Sequence, residues 1–161
     1  GNRVIASDGV NWFTIATNES ILACYETNAA QSIADNTVTI INFEDTLKDL
    51  YGVVTIGASW KFTCPSVGDY SVNALVTLGN ITSIGAAEQV FLYIYKNGSA
   101  VARVFYTASA SAAAEYSWSI SDILTNCIAT DYIDIRFQQI SGGALSLQAS
   151  ATGNRVSIRR I

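Results

Sequence analysis

The residues that could carry out acid–base chemistry in this chain are carboxylates, because it contains 13 Asp and Glu and no His. A serine–histidine–acid triad therefore cannot form. A carboxylate pair remains conceivable for glycan cleavage, but the sequence does not bring two candidates together. The candidates are Glu44, Asp45, Asp49, Asp69, Glu115, Asp122, Asp131 and Asp134. Asp69, Asp122 and Asp131 lie beside predicted strand ends, where solvated turn carboxylates are expected. We expect no catalytic residue and no enzyme activity.

The possible metal ligands of soft character are three widely spaced cysteines, Cys24, Cys64 and Cys127. They form no CxxC motif, which argues against a zinc site in a chain without His. Small buried free thiols in strands are the favoured interpretation, with one disulfide and one remaining cysteine as the alternative. We expect no metal and no cofactor.

Aromatic residues offer a second kind of chemistry, which is recognition. Tyr and Trp combine a rigid contact area with a polar group and are common at binding surfaces. The candidates are Tyr93, Tyr95, Tyr106, Tyr116 and Trp118. Alternating aromatics in strands usually pack against neighbours. We therefore favour a place in a packed interior, with a binding surface as the alternative.

Composition limits the partners of the chain. Half of the residues are hydrophobic and only 14% are charged, against roughly 25% in an average domain. No apolar run approaches the ~20 residues that cross a bilayer, so no membrane insertion is expected. Low charge favours burial against copies of the same chain, with a monomer covered by Ser, Thr and Asn as the alternative. The net charge of −4 and the scattered nine cations argue against nucleic acid, which needs a basic stripe.

The elements that must position these residues are strands. The stretch from Trp60 to Val72 predicts strand, turn, strand, with Pro65 closing the first strand and Gly68 in the turn. Asn97-Gly98 between two aromatic-rich runs predicts a second hairpin. Strands are predicted near 21–27, 37–43, 53–56, 59–64, 69–78, 88–96, 100–106, 115–124, 131–140, 144–150 and 155–161, a spacing typical of an all-β sandwich.

Three segments do not follow this pattern. Residues 44–51 have helical spacing and are the one helix candidate, with an ordered loop as the alternative. The Ala/Ser tract at 108–114 predicts a mobile connection, or else a short helix. Residues 1–19 are predicted to be a separate leading segment that packs on the main domain or on partner chains in a shaft, and residues 20–161 to be a single domain.

An ordered series of motifs resembles the globular head of complement q, which shares its fold with tumour necrosis factor. The motifs are Ile41-Asn42-Phe43, Asp49, Tyr51, Trp60 to Pro65, Gly68 to Val72, Val90 to Gly98, Asp131 to Phe137, and Asn154 to Ile161. The last strand is similar to that of bacterial and phage members. The segment from Val4 to Phe13 looks like segments of phage tail and fibre proteins.

This resemblance implies an all-β, ten-stranded antiparallel jelly-roll sandwich that assembles as a homotrimer. It also implies a non-enzymatic role as the structural and host-receptor-binding knob of a bacteriophage fibre, tail spike or tail needle. The protein would then be located in the virion and would contact a bacterial surface glycan or protein. The alternative is the trimerising head of a bacterial surface or spore-coat protein, with a purely structural role.

The same resemblance implies that residues 1–19 are a linker or the end of a fibre shaft and that residues 20–161 are the knob domain. It also implies that the aromatic candidates fill the sandwich core or the trimer axis. Further site residues follow from it. The trimer-interface or core candidates are Tyr70, Val72, Tyr116, Trp118, Ile120, Val156 and Ile158. A receptor is expected to contact the loops at 79–87, 96–100, 107–114 and 141–153. The receptor-binding candidates in these loops are Asn80, Asn97, Ser109, Ser111 and Ser141.

Overall fold

The computed structural model describes residues 3–7, 9–10, 12–17, 22–79, 89–107 and 115–161, and for 3–6 and 12–17 the backbone alone. These residues form strands and no helix. The strands are β1 (Arg3–Ser7), β2 (Trp12–Thr17), β3 (Ala23–Glu26), β4 (Ser32–Ile33), β5 (Thr39–Ile40), β6 (Asp45–Asp49), β7 (Val54–Thr55), β8 (Lys61–Thr63), β9 (Gly68–Gly79), β10 (Gln89–Lys96), β11 (Ser99–Thr107), β12 (Glu115–Cys127), β13 (Tyr132–Ile140), β14 (Leu145–Leu147) and β15 (Arg155–Arg160).

Two antiparallel sheets form the main body of the fold. Sheet I has the strand order β11-β10-β13-β8-β7, and β5 also pairs with β13. Sheet II has the order β4-β14-β9-β15-β3-β6, and β12 pairs with the free side of β9. The strands β1 and β2 pair with each other in a separate two-stranded sheet. The boundary between a leading segment and the knob at residues 19–20 stays a prediction.

The core lies between the two sheets and is built by alternation along the long strands. In β10, Val90, Leu92 and Ile94 are buried, because every second side chain of a strand points to the same face. Rings from the two sheets meet in this core. Trp118 of β12 lies 5.5 Å from Phe137 of β13, measured between ring centroids. The all-β prediction is confirmed, while the count of ten strands is not, because several short strands accompany the long ones.

The two turns that the sequence predicts lie where expected. Strand β8 ends at Thr63 and β9 begins at Gly68, so Pro65 lies between them. Asn97 and Gly98 connect β10 to β11 with φ angles of 51° and 78°, which are the left-handed angles of the turn that suits a two-residue hairpin.

The helix predicted at residues 44–51 is wrong. Residues Asp45–Asp49 form strand β6 at the edge of sheet II, paired with β3. Leu47 at the centre of this strand is 47% exposed, so its side chain does not anchor a helix on the core. Pairing with β3 satisfies the backbone of this segment, and tertiary context therefore overrides the local spacing. The tract at 108–114 lies outside the described residues.

Candidate functional site

The outward face of sheet I carries a row of aromatic rings. Because Val90, Leu92 and Ile94 point into the core, Phe91, Tyr93 and Tyr95 point to the opposite face of β10. Tyr93 and Tyr95 therefore do not lie between the sheets, so the sandwich-core part of the expectation is wrong, and a place on a trimer axis stays a prediction. Tyr93 is nevertheless buried on this outward face, at 9% exposure. The rings of Phe91, Tyr93 and Tyr95 contact one another on the outer face of sheet I and do not contact sheet II across the core.

These rings form one continuous cluster. Phe91 stacks on Tyr93 with ring centroids 5.9 Å apart, and Tyr93 meets Tyr95 edge-on at 5.7 Å. Phe105 of β11 lies directly opposite Phe91 in the strand register, with 5.0 Å between the ring centroids. All three separations fall in the range where aromatic pairs attract. The result is an aromatic floor across two adjacent strands.

Three cations lie over aromatic rings of this same face. The guanidinium of Arg136 is 3.9 Å from the centroid of the Tyr95 ring. The guanidinium of Arg103 is 5.5 Å from the Phe91 ring, and the Lys61 ammonium is 5.3 Å from the Tyr132 ring. All three distances are within reach of cation–π attraction. We call this surface, with Phe91, Tyr93, Tyr95, Phe105, Tyr132, Lys61, Arg103 and Arg136, the cation–aromatic face.

The carboxylate of Asp134 orients one of these cations. It accepts hydrogen bonds from Nε and an Nη of Arg136 at 2.6 and 3.0 Å, which is the two-pronged geometry of a strong arginine–carboxylate pair. The side chain of Asp134 is only 2% exposed. The hydrogen bond to Asp134 raises the pKa of Arg136, so this guanidinium stays charged. The Tyr93 hydroxyl donates to Gln138 at 3.0 Å, which links β10 to β13 at the centre of the face.

The linear sequence does not reveal this gathering of charge. Lys61, Arg103 and Arg136 are far apart in the chain and lie on β8, β11 and β13. Each occupies an outward position next to buried neighbours such as Phe62 and Phe137. The alternation of side chains along a strand could have identified this cluster, because cations at outward positions of strands in one sheet share a face. A search for cations that are close together in the sequence does not find this cluster.

Of the predicted receptor-binding residues, Asn97 and Ser141 are described, whereas Asn80, Ser109 and Ser111 lie outside the described residues. The side chain of Asn97 donates to Asp131 at 2.8 Å and accepts from the Tyr132 backbone N–H at 2.9 Å. The Ser141 hydroxyl donates to Gln139 at 2.5 Å. Both side chains thus hold loops in place, and receptor contact at either position stays a prediction.

Asp131 is not the solvated turn carboxylate that the sequence predicts, since it is only 8% exposed. Besides the bond from Asn97, it accepts the Ile128 backbone N–H at 3.0 Å and lies 2.9 Å from the Lys96 ammonium. These interactions, led by the hydrogen bonds from Asn97 and Lys96, lower the pKa of Asp131 to about 2. The carboxylate therefore ties the turn after β10 to the loop after β12.

The residues predicted for the trimer interface or core lie between the sheets. Six are buried, namely Tyr70, Val72, Trp118, Ile120, Val156 and Ile158, and Tyr116 is partly buried against the same cluster. They stabilise the single chain, and any part in an interface stays a prediction. The surface of sheet II opposite to them carries Ser117, Ser119 and Ser121, which are exposed on β12.

The cysteines are free thiols. Cys64 and Cys127 are buried and Cys24 is half-buried. Burial, and then the neighbouring Cys127 thiol, raise the pKa of the Cys64 thiol to about 12, so it is protonated and unreactive at neutral pH. No group of three or more Cys, Asp and Glu side chains suited to holding a metal ion occurs in the described part of the chain. Within the same residues, no helix has the length and apolar character needed to cross a membrane.

Comparison with known proteins assigns the fold. Neither a protein-family profile nor a curated protein sequence matches the chain. Among solved structures, the Eiger TNF of S. frugiperda is similar with a TM-score of 0.66 at 9% identity, over 89% of this chain and 94% of that chain. Murine APRIL at pH 5.0 is similar with a TM-score of 0.63 at 12% identity, over 89% of this chain and all of that chain. The protein therefore has a jelly-roll fold like that of tumour necrosis factor.

Proposed function

We propose that this protein is a non-enzymatic, homotrimeric knob of a bacteriophage fibre, tail spike or tail needle, with a structural and a host-receptor-binding role. The TNF-like fold supports the knob architecture. The likeness of residues 4–13 to phage tail and fibre segments supports the location in a virion. The low content of charged residues, 14% of the chain, supports self-association.

The observation that carries the self-association is the unpaired edge of both sheets. In the described residues, β11 pairs only with β10, and β12 pairs only with β9. These are long strands, of 9 and 13 residues, and they follow each other in the chain. Tyr106 on β11 and Ile123 on β12 are exposed by 43% and 53%. Long edges with exposed apolar side chains are usually covered, because they otherwise pair with other chains.

The outward face of β12 suits a neighbouring copy. Ser117, Ser119 and Ser121 are small and uncharged, and the hydroxyls of Ser117 and Ser121 already hydrogen-bond to Thr77 and Asn73, so burying this row leaves few polar groups without a partner. Ile123 continues this row at 53% exposure. An edge of one copy that packs on such a face of the next makes a heterologous contact, which closes into a ring when the rotation permits. The resemblance to the TNF fold implies a ring of three.

Sedimentation of the wild type and of two matched variants tests the assembly. Ile123→Lys places a charge in the proposed contact and is expected to dissociate the trimer at micromolar concentration. Ile56→Lys is the control, because Ile56 is equally exposed at 56% but follows β7 at the far side of sheet I. A wild-type species of 17.2 kDa, or equal dissociation of both variants, would contradict the proposal.

Adsorption of the trimer to bacterial cells tests the receptor-binding role. Fluorescently labelled wild-type protein is expected to bind cells of a susceptible strain in a panel, and unlabelled protein is expected to compete with it. A knob that assembles as a trimer and adsorbs to no strain of the panel would have only the structural role of a trimerising head. That outcome would leave the assembly intact and overturn the receptor-binding part.

A further inference from the structure

The cation–aromatic face is positively charged on a protein that is negatively charged overall. It carries Lys61, Arg103 and Arg136 against the single carboxylate of Asp134, while the whole chain has a net charge of −4. Arg103 is exposed, and it takes part in no ion pair with an acidic side chain of the described residues. A local excess of positive charge attracts an anionic partner.

The chemistry of the face favours a particular kind of anion. A guanidinium presents a planar fork of N–H donors that matches a carboxylate. Beside Arg103, the Phe105 ring is 48% exposed, and an aromatic ring offers a rigid apolar surface against which the C–H face of a sugar can stack. The two residues are both outward positions of β11, two residues apart, so one sugar unit can contact both.

The shape of the cation–aromatic face also limits which kinds of ligand can bind to it. It is the flat surface of a sheet, and from Phe91 to Tyr95 it extends for about 13 Å along β10. The row from β11 across β10 to β13 adds about 10 Å of width. A flat face of this size is neither the concave pocket of a small molecule nor the groove that takes a helix. Three cations are also too few for the phosphate track of a nucleic acid.

We propose that the cation–aromatic face binds a carboxylate-bearing polysaccharide of a bacterial surface. Arg103 holds a sugar carboxylate, Phe105 stacks against a sugar ring, and Lys61 adds positive charge on the same face, whereas the charge of Arg136 is balanced by Asp134. This inference rests on the proposed host-surface role and names its ligand class. Three copies in a trimer present three such faces, and weak sites then act together through their effective concentration.

Binding of the wild-type protein to immobilised polysaccharides tests the inference. The probes are polygalacturonate, hyaluronate and polysialic acid as carboxylated glycans, dextran as a neutral glycan, and poly-glutamate as a carboxylated chain without sugar. The inference predicts binding to at least one carboxylated glycan, weaker binding at higher salt, and little binding to dextran and poly-glutamate. Equal binding to poly-glutamate, or no binding to any of the three carboxylated glycans at millimolar repeat units, would overturn it.

Matched variants locate the site. Arg103→Gln is expected to weaken the binding by about tenfold, as the loss of one charge-assisted hydrogen bond does. Phe105→Ser tests the stacking and is expected to have a similar effect. Lys48→Gln removes the same charge from an exposed position of β6 and is expected to change affinity less than twofold. Equal losses in Arg103→Gln and Lys48→Gln would refute the site. Trimers that adsorb to cells independently of Arg103 would refute this inference and leave the proposed function standing.

Discussion

Substitution of Asp131 tests whether its carboxylate holds together the loops at one end of the sandwich. The carboxylate takes part in three contacts from two segments, namely with the Lys96 ammonium at 2.9 Å and the Asn97 amide at 2.8 Å at the end of β10, and with the Ile128 backbone N–H at 3.0 Å after β12. In Asp131→Asn, an amide replaces one oxygen, so at least one donor faces another donor. The Lys96 ammonium, 22% exposed, then loses its counter-charge.

The size of the effect follows from the pKa. The folded state lowers the pKa of Asp131 from 3.8 to about 2, and this difference corresponds to about 2 kcal/mol of stability. Because the folded pKa lies below the unfolded one, the contribution is complete above pH 4 and is lost as the pH falls towards 2. At neutral pH the variant is therefore expected to unfold with a free energy lower by about 2–3 kcal/mol, the extra being the cost of the misplaced amide.

Urea denaturation followed by fluorescence measures this from pH 7 down to pH 2, at one protein concentration because assembly shifts apparent stability. The gap between the wild-type and Asp131→Asn free energies is expected to be about 2–3 kcal/mol above pH 4 and to shrink to about 1 kcal/mol or less near pH 2, where the cost of the misplaced amide remains. Asp45→Asn, at an exposed position, is the control and is expected to change stability by less than about 0.5 kcal/mol. A constant gap between the wild type and Asp131→Asn from pH 7 to pH 2 would refute the electrostatic reasoning.

Two further substitutions test the backbone and a buried amide. Gly98→Ala is expected to cost about 1 kcal/mol in urea denaturation, because φ is 78° at this position, whereas Gly143→Ala, which meets open space, is expected to be neutral. Asn154→Ala is expected to cost about 2–3 kcal/mol, because the fully buried Asn154 accepts the Thr77 backbone N–H at 2.9 Å. The exposed Asn28→Ala is its control, and an equal loss in the two Asn variants would contradict the argument.

Strand positions and the hairpin turns could be predicted from the sequence because they depend on local rules. Alternation in β10 places Leu92 and Ile94 on one face and Tyr93 on the other, whatever the rest of the chain does. Asn97-Gly98 suits the left-handed angles of a two-residue turn and little else. The helix prediction at 44–51 failed because Leu47 and Leu50 fit helical spacing, while pairing with β3 is a long-range interaction that spacing does not contain.

The candidate site could be predicted only in part. Tyr93 and Tyr95 are recognition candidates by residue type, but the packing rule favours a core or a trimer axis for them, since it does not distinguish contacts within a sheet face from contacts between sheets. The cations are scattered along the sequence, because Lys61 and Arg103 come to one face only through the order of strands in sheet I. The burial of Asp131 could not be predicted from the sequence either, because its partner Lys96 is 35 residues away in the chain and reaches it only in the folded sandwich.

The low identity to structures of the same fold explains why the outward positions matter most. At 9–12% identity with TM-scores of 0.60–0.66, the jelly roll is retained while most side chains differ. Inward positions require only apolar residues of suitable volume, so many sequences satisfy the core. Functional differences then depend on the outward positions, where side chains such as Arg103 and Phe105 can vary without changing the packing of the core. The shared fold therefore does not indicate which ligand this protein binds. The ligand of the cation–aromatic face follows from the charge, the rings and the shape of that face.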